Sequence, residues 1–364
     1  MIFHSNTIAQ NVDFNSMTNK PDCAWMLSDL KSAKQNGLKV MSTFACGGGS
    51  SMGYKLAGCD VIAANDIDPE MAWHYKQNLS PKHYFLCPIR DLLTIDLPEE
   101  LFGIDILDGS PPCSTFSMAG SREKAWGKKK HFREGQAEQV LSDLFFDYLD
   151  LVGRLKPRVA IAENVKGMIL GNAKGYTKLV MQKFCELGYK PQLFLVNAAD
   201  CGVPQRRERV FFCAVREDIS SKKLKLIPRH RWISVGEAIN DLQILTNAER
   251  LEASPAHNDL QWWHKTPQGS DYGVPAMKET GKPTGFSHKR LMRNYPSNTL
   301  CGSDTIRHHS ECRKLTFREW KRLGSFPDDY VAKTERIGKY MIGMSVPPFM
   351  TKAVAEAVIT QWLC

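Results

Sequence analysis

From Leu38 onward, short apolar runs of strand length alternate with longer stretches of helical period, and this rhythm restricts the fold more than any other feature of the chain. The run 38–44 (LKVMSTF) reads as a strand, a glycine cluster follows it, 51–58 (SMGYKLAG) reads as a helix, and 59–66 (CDVIAAND) as a second strand. The pattern continues with a strand at 104–110, a long amphipathic helix at 137–156, a strand at 157–165, a helix at 177–189 and a strand at 191–198. The segment 206–217 (RRERVFFCAVRE) closes the series as a strand able to pair antiparallel with its neighbour. Such alternation predicts an α/β domain on a doubly wound, mostly parallel, Rossmann-like sheet. Its reactive residues should gather at the C-terminal strand ends.

Four regions follow. Residues 1–37 are polar and finish in an amphipathic stretch, Trp25 to Ala33, before the helix-stopping Gly37, so they read as an N-terminal extension packed outside the core. Residues 38–217 carry the α/β rhythm. Over 218–297 it stops, and a chain rich in Gly, Pro and His reads as a smaller, irregular lobe. Residues 298–364 return to helical patterning and end in a closing helix that begins with proline.

A net charge of +9 suits a polyanionic partner, and suits an ordinary enzyme of this size as well. The eleven cysteines include no CxxC pair, so neither a disulfide framework nor a metal site is expected. No run approaches the ~20 apolar residues of a membrane helix, and the N-terminus lacks a basic flank followed by an apolar stretch. A soluble, cytoplasmic protein with no membrane and no obligate protein partner is the expectation.

Several residues stand where chemistry is done. Phe44-Ala45-Cys46-Gly47-Gly48-Gly49 lies between a strand and a helix, where absent side chains let a ligand approach backbone N–H groups; a tight turn is the plainer reading. Asp66, after the second strand, suits an acceptor for ribose hydroxyls, whereas Asp68-Pro69 suits a helix N-cap. Asp108-Gly109-Ser110-Pro111-Pro112-Cys113 sets a thiol just past a strand end in a proline-stiffened turn. A basic stretch follows it, with Lys124, Lys128, Lys129, Lys130 and Arg133. Most cysteines are small buried hydrophobes, and most such loops are merely solvated. Glu163-Asn164-Val165 brings a carboxylate to the same sheet edge, and Gln205, Arg207 and Arg209 alternate onto one face of the last strand.

In order and spacing, the glycine loop, Pro-Pro-Cys, Glu-Asn-Val, Gln-x-Arg-x-Arg, the Leu-Thr-x-Arg-Glu-x-x-x-Leu-x-x-Phe-Pro segment at 315–327 and Gly-x-x-Val-Pro-Pro at 343–348 resemble the DNA cytosine-5 methyltransferases of bacterial and phage restriction–modification type. The likeness runs from Val40 to Val358 apart from the irregular lobe. It implies S-adenosylmethionine as methyl donor and a flipped-out cytosine in double-stranded DNA as substrate. By the same resemblance Cys113 is the nucleophile, Glu163 holds a proton at ring nitrogen 3, Arg209 donates to the carbonyl oxygen at carbon 2, Arg207 steadies a backbone phosphate and Gln205 supports the arrangement. The residues implied for the cofactor are Phe44, Cys46, Gly47, Gly48, Gly49, Asp66, Ile67, Ile89, Pro111 and Ser345. The basic stretch becomes a lid, and 218–297 the target-recognition lobe, which reads bases in the major groove.

Three positions depart from the family pattern: Cys46 replaces a glycine, Pro88 an aspartate and Met344 an asparagine. All lie around the expected cofactor site, and Asp91 is a candidate to replace the missing carboxylate. Two other readings compete. A tRNA cytosine-5 methyltransferase shares the chemistry, and a catalytically inactive DNA-binding relative shares the fold. A nicotinamide-dependent dehydrogenase lacks its GxGxxG spacing here and leaves Pro-Pro-Cys unexplained.

Overall fold

The computed structural model describes residues 20–112, 129–130, 139–140, 144–171, 173–282 and 288–364. Its strands are β1 (Lys39–Thr43), β2 (Asp60–Asp66), β3 (His83–Leu86), β4 (Ile106–Gly109), the two-residue β5 (Lys129–Lys130) and β6 (Gln139–Val140), β7 (Val159–Val165), β8 (Tyr189–Asn197), β9 (Glu208–Arg216), β10 (Lys289–Arg290) and β11 (Ile306–Arg307). Seven of them form one sheet in the order β3-β2-β1-β4-β7-β9-β8. Only β9 runs against its neighbours, pairing antiparallel with both β7 and β8. The physical reason is the ten-residue link from β8 to β9: a parallel return to the sheet needs a longer crossover, usually a helix.

Period-two alternation explains the two faces. Met41, Leu107, Ala160, Ala162, Phe212 and Ala214 point into one apolar cluster, against Leu144, Tyr148, Leu151, Val152, Val180 and Phe184 of α4 (Leu144–Leu155) and α5 (Ala173–Glu186). Their neighbours Val40, Ile106, Val159, Ile161, Phe211 and Cys213 point into another, covered by Met350, Val354, Ala355 and Val358 of the closing helix α12 (Pro348–Val358). Buried on both faces, these strands read as continuous apolar runs. The remaining helices are α1 (Asp29–Ser32), α2 (Gly49–Leu56), α3 (Pro69–Leu79), α6 (Val235–Ile239), α7 (Asn247–Glu252), α8 (His257–Trp262), α9 (Gly273–Thr280), α10 (Phe317–Leu323) and α11 (Glu335–Met344). No helix among the described residues is long and apolar enough to cross a membrane.

Three sequence expectations change. Residues 20–37 are not laid outside the core: Cys23, Trp25 and Leu30 are buried in a cluster with Trp320, Leu323 and Phe326, and the Trp25 indole N–H donates to the Ser325 carbonyl at 2.9 Å. Of the helix expected over 137–156, the described residues Leu144–Leu155 are helical, while Gln139–Val140 pairs antiparallel with Lys129–Lys130. The lobe is more helical than its composition suggested. Ser234 and Thr246 each accept from the backbone N–H three residues on and form capping boxes with Glu237 and Glu249. Its small core holds Trp262, Trp263, Tyr272 and Ala276, with the Arg290 guanidinium 3.7 Å over the Trp263 ring.

Candidate active site

Strand order reverses between β1 and β4, so the loops after these two strands diverge and open a crevice at the C-terminal edge. The glycine loop follows β1, and Ser110-Pro111-Pro112 follows β4. Cys113 itself, with most of the basic stretch after it, lies outside the described residues.

On one side of this crevice, side chains fix the geometry. Glu163, near the end of β7, is 8 % exposed and lies 3.0 Å from the Arg209 Nε of β9, whose register sets Arg209 opposite Val165. Asn164 turns its amide to the Pro111 carbonyl at 2.9 Å and ties the Pro-Pro turn to β7. Gln205 and Arg207, expected on one face of the last strand, instead precede β9, which begins at Glu208, and both are buried. The Gln205 amide bridges two segments, donating to the Leu323 carbonyl at 3.1 Å and accepting from the Leu300 N–H at 3.0 Å. Arg207 donates from Nη1 to the carbonyls of Leu300 at 2.9 Å and Gly343 at 3.0 Å.

The expectation that Arg207 steadies a backbone phosphate is therefore revised. At 4 % exposure its guanidinium joins β9 to the return segment and offers no surface to a duplex. Desolvation and the charge of Arg209 both depress its pKa, against the opposing pull of Glu163. A guanidinium nevertheless keeps its proton.

On the other side, a side-chain carboxylate gathers backbone N–H groups. Asp66, ending β2, accepts from the N–H of Cys46 at 2.7 Å and of Asp68 at 2.9 Å. Burial pushes its carboxyl up to about 6, against these N–H donors. A carboxylate has about four lone-pair sites, so acceptor capacity is left for vicinal hydroxyls. Asp68 is the N-cap of α3, accepting from the N–H groups of Glu70 and Met71. Phe44 and Cys46 sit at φ 53° and 47°, in the left-handed region. Gly48, at φ 87°, is the N-cap of α2, whose eight residues start at Gly49.

At Gly47 and Gly49 the missing side chains make room for protein. A Cβ on Gly49 would meet the Val346 carbonyl at 2.3 Å, and one on Gly47 the Met341 sulfur at 2.0 Å. Ser345, 4 % exposed, donates to the Met341 carbonyl in the same packed segment. Ile67 is half-buried at the β2 end, Pro111 is buried, and Ile89 turns into the main apolar cluster at 2 % exposure. Of the departures, Pro88 caps a short 3₁₀ turn, Met344 is 52 % exposed, and Asp91 is exposed.

Sequence reasoning passed over one group at this edge. Asp108 of β4 is 2 % exposed and accepts from three hydroxyls: Ser42 at 2.9 Å, Ser50 at 2.7 Å and Tyr54 at 3.1 Å. The signal was present, since a carboxylate in a strand buried on both faces needs partners.

This edge thus joins a carboxylate–guanidinium pair, able to meet the donors and acceptors of a polar ring, to a second carboxylate across the crevice. The chain matches the family model of C-5 cytosine-specific DNA methylases over residues 38–360. Among curated proteins it is 29 % identical over 353 residues to the Type II methyltransferase M.NgoFVII of Neisseria gonorrhoeae, covering 92 % of this chain and 89 % of that one. It is 28 % identical over 338 residues to M1.HphI of Haemophilus parahaemolyticus, covering 88 % and 87 %. Among solved structures, Spodoptera frugiperda DNMT2 superposes with a TM-score of 0.62 at 16 % identity, over 89 % of this chain and all of that one, a likeness of fold. With the family model spanning nearly the whole described molecule, the chain belongs to the C-5 cytosine-specific DNA methylases and is a DNA cytosine methyltransferase.

Proposed function

We propose that the protein transfers the methyl group of S-adenosylmethionine to carbon 5 of a cytosine flipped out of double-stranded DNA, at one short sequence, through a covalent Cys113 adduct at ring carbon 6. The observation that carries this reading is the Glu163–Arg209 pair, 3.0 Å apart and nearly buried, on β7, which neighbours the strand that leads into Pro111-Pro112-Cys113, and on β9 beyond it.

Carbon 5 of cytosine is a weak nucleophile, and adding a thiolate at carbon 6 makes it enamine-like. Cys113 forms that C–S bond. Glu163 holds a proton at ring nitrogen 3, and Arg209 donates to the oxygen at carbon 2, so the charge pushed into the ring is neutralised where it develops. When bound, S-adenosylmethionine supplies an electrophilic methyl group. Carbon 5 then loses its proton to solvent, the C–S bond breaks and Cys113 leaves as thiolate. The α2 N-terminus, Asp66 and the β3 and β4 ends are the residues that fit the cofactor, with Asp66 accepting from the ribose hydroxyls. Arg207 and Gln205 position β9 and touch no substrate.

The basic stretch after Cys113 serves as a lid, and residues 218–297, with the return segment from 298, form the target-recognition lobe over the 38–217 catalytic domain. The relatives are named Type II methyltransferases, and modification beside a restriction endonuclease is the role carried over from them.

A random-sequence duplex pool containing 5-fluorocytosine tests the chemistry, because fluorine at carbon 5 cannot leave as the proton does. With S-adenosylmethionine present, wild type should form a protein–DNA adduct that survives denaturation, and Cys113→Ser should not. Turnover without any trapped adduct would contradict the covalent route.

A further inference from the structure

Asp108 lies on the face of β4 that also carries Ile106, against α2 and α12, and its Cα pairs with Ser42 of β1 and Ile161 of β7. Three hydroxyls from two elements converge on it. Ser42 and Ser50 donate to Oδ2, and Tyr54 donates to Oδ1. Ser42 and Tyr54 are fully buried and Ser50 is 8 % exposed, so water does not compete for these bonds. Ser50 and Tyr54 sit on α2, the helix that begins at the glycine loop, and Ser110-Pro111-Pro112 begins two residues beyond Asp108. The far end of that turn is held separately by Asn164.

We propose that Asp108 is a positioning residue for methyl transfer: its buried carboxylate locks the cofactor-side helix α2 and strand β1 to the strand end that carries Pro111-Pro112-Cys113. The proposal rests on the function argued above. It assigns Asp108 no contact with substrate; the carboxylate acts through α2 on one side and through the Pro-Pro turn on the other.

A stabilising role does not explain the group. Burial raises the Asp108 carboxyl to about 6, against its three hydroxyl donors. The folded pKa thus exceeds the unfolded value of about 3.9. Asp108 then favours the folded state only when protonated, and that contribution disappears as pH rises through about 6. At neutral pH its charge costs stability, so a neutral amide of the same shape should fold at least as well. The titratable groups whose charge states it feels are Tyr54 of α2, Tyr75 of α3, Tyr148 of α4 on the other face of the sheet, and Glu163 of β7. Burial pushes the three tyrosines up, so they stay neutral through this range. Below about 6 one Asp108 oxygen becomes a donor facing donors, and the lock loosens.

The test uses the full chain, S-adenosylmethionine and plasmid DNA from a methylation-free host, with single-turnover methyl transfer followed from pH 5 to 8 beside thermal unfolding and DNA binding. At pH 7.5, Asp108→Asn should melt at or above the wild-type temperature and bind DNA like wild type, yet transfer methyl about 10- to 100-fold more slowly, the scale of a small misplacement of reacting groups. The wild-type rate should fall below a pH of about 6. The Asp108 share of that limb should vanish in Asp108→Asn, leaving the share of Asp66, whose carboxyl is also raised to about 6, and it should move upward in Tyr54→Phe, which removes one donor from the Asp108 carboxylate. An Asp108→Asn protein with the wild-type rate and profile overturns the proposal, as does one that melts lower and slows only in step with lost folded protein. A Tyr54→Phe profile that does not move overturns it as well. A wild-type chain that folds but never methylates the plasmid contradicts the underlying function instead.

Discussion

Around β4, β7 and β9 the reactive edge is held by side chains: Asn164 to Pro111, Glu163 to Arg209, Gln205 to Leu300 and Leu323, Arg207 to Leu300 and Gly343. Around β1 and β2 the same edge is held by two side chains, those of Asp66 and Asn65, which gather backbone groups of the loops. The N–H groups of Cys46 and Asp68 bind Asp66, and the Ala45 N–H binds the Asn65 carbonyl at 3.0 Å. The Asn65 amide donates to the Phe85 and Cys87 carbonyls. Where side chains make the bonds, residue identity is constrained. Where backbone makes them, conformation is constrained and identity can drift. Of the departures from the family pattern, Cys46 gives only its backbone N–H to Asp66 and Pro88 caps the 3₁₀ turn after β3, whereas Met344 is exposed at the end of α11. Cys46 keeps a φ of 47°, the left-handed geometry for which glycine is suited.

That contrast orders the expected effects of substitution. Arg209→Ala should lower kcat/KM by about 2–4 kcal/mol, as loss of one preorganised donor does, and it also strands Glu163. A wild-type kcat/KM would break the side-chain half of the comparison. Arg207→Ala should cost about 2–3 kcal/mol in chemical denaturation, because the Leu300 and Gly343 carbonyls lose a charged donor. Loss of DNA affinity with unchanged stability would instead restore a phosphate role. Asn164→Ala frees the Pro111 carbonyl and should cost about 1–2 kcal/mol, read as a slower single-turnover rate with an unchanged cofactor Kd. A weakened cofactor Kd would blur the line between the two sides.

Cys46→Gly should do least. Relief of about 1–2 kcal/mol of left-handed strain is offset by the flexibility glycine brings and by the loss of the sulfur contact to Met71 at 3.6 Å. Net stability should change by less than about 1 kcal/mol and cofactor Kd by less than about threefold. A tenfold change in Kd would make Cys46 a specific cofactor contact and undo the contrast.

The same division explains what was legible in the sequence. The strands of the main sheet were, since continuous apolar runs such as Val159–Ala162 and Val210–Val215 have no other way to be buried on both sides. The antiparallel β9 followed from its short link to β8. Glu163 was legible from its place at a strand end and Arg209 from strand period, whereas Gln205 and Arg207 precede β9, and the partners of Arg207 had no local signature because they are carbonyls about 93 and 136 residues away. Room left by Gly47 and Gly49 is likewise taken by the distant return segment, a contact with no local signature. The lobe's helices did have one: Ser234 to Glu237 and Thr246 to Glu249 fit the capping-box spacing, overlooked because the lobe was read as a whole by its Gly, Pro and His content.

The most direct test of the central claim is expression of wild type and Cys113→Ala in a methylation-free bacterial host, followed by sequencing of cellular DNA with chemistry that separates 5-methylcytosine from cytosine. The account predicts methylated cytosines only with wild type, confined to one short recurring sequence. Unmodified DNA in cells that hold soluble, folded wild-type protein, or equal methylation by Cys113→Ala, would contradict it.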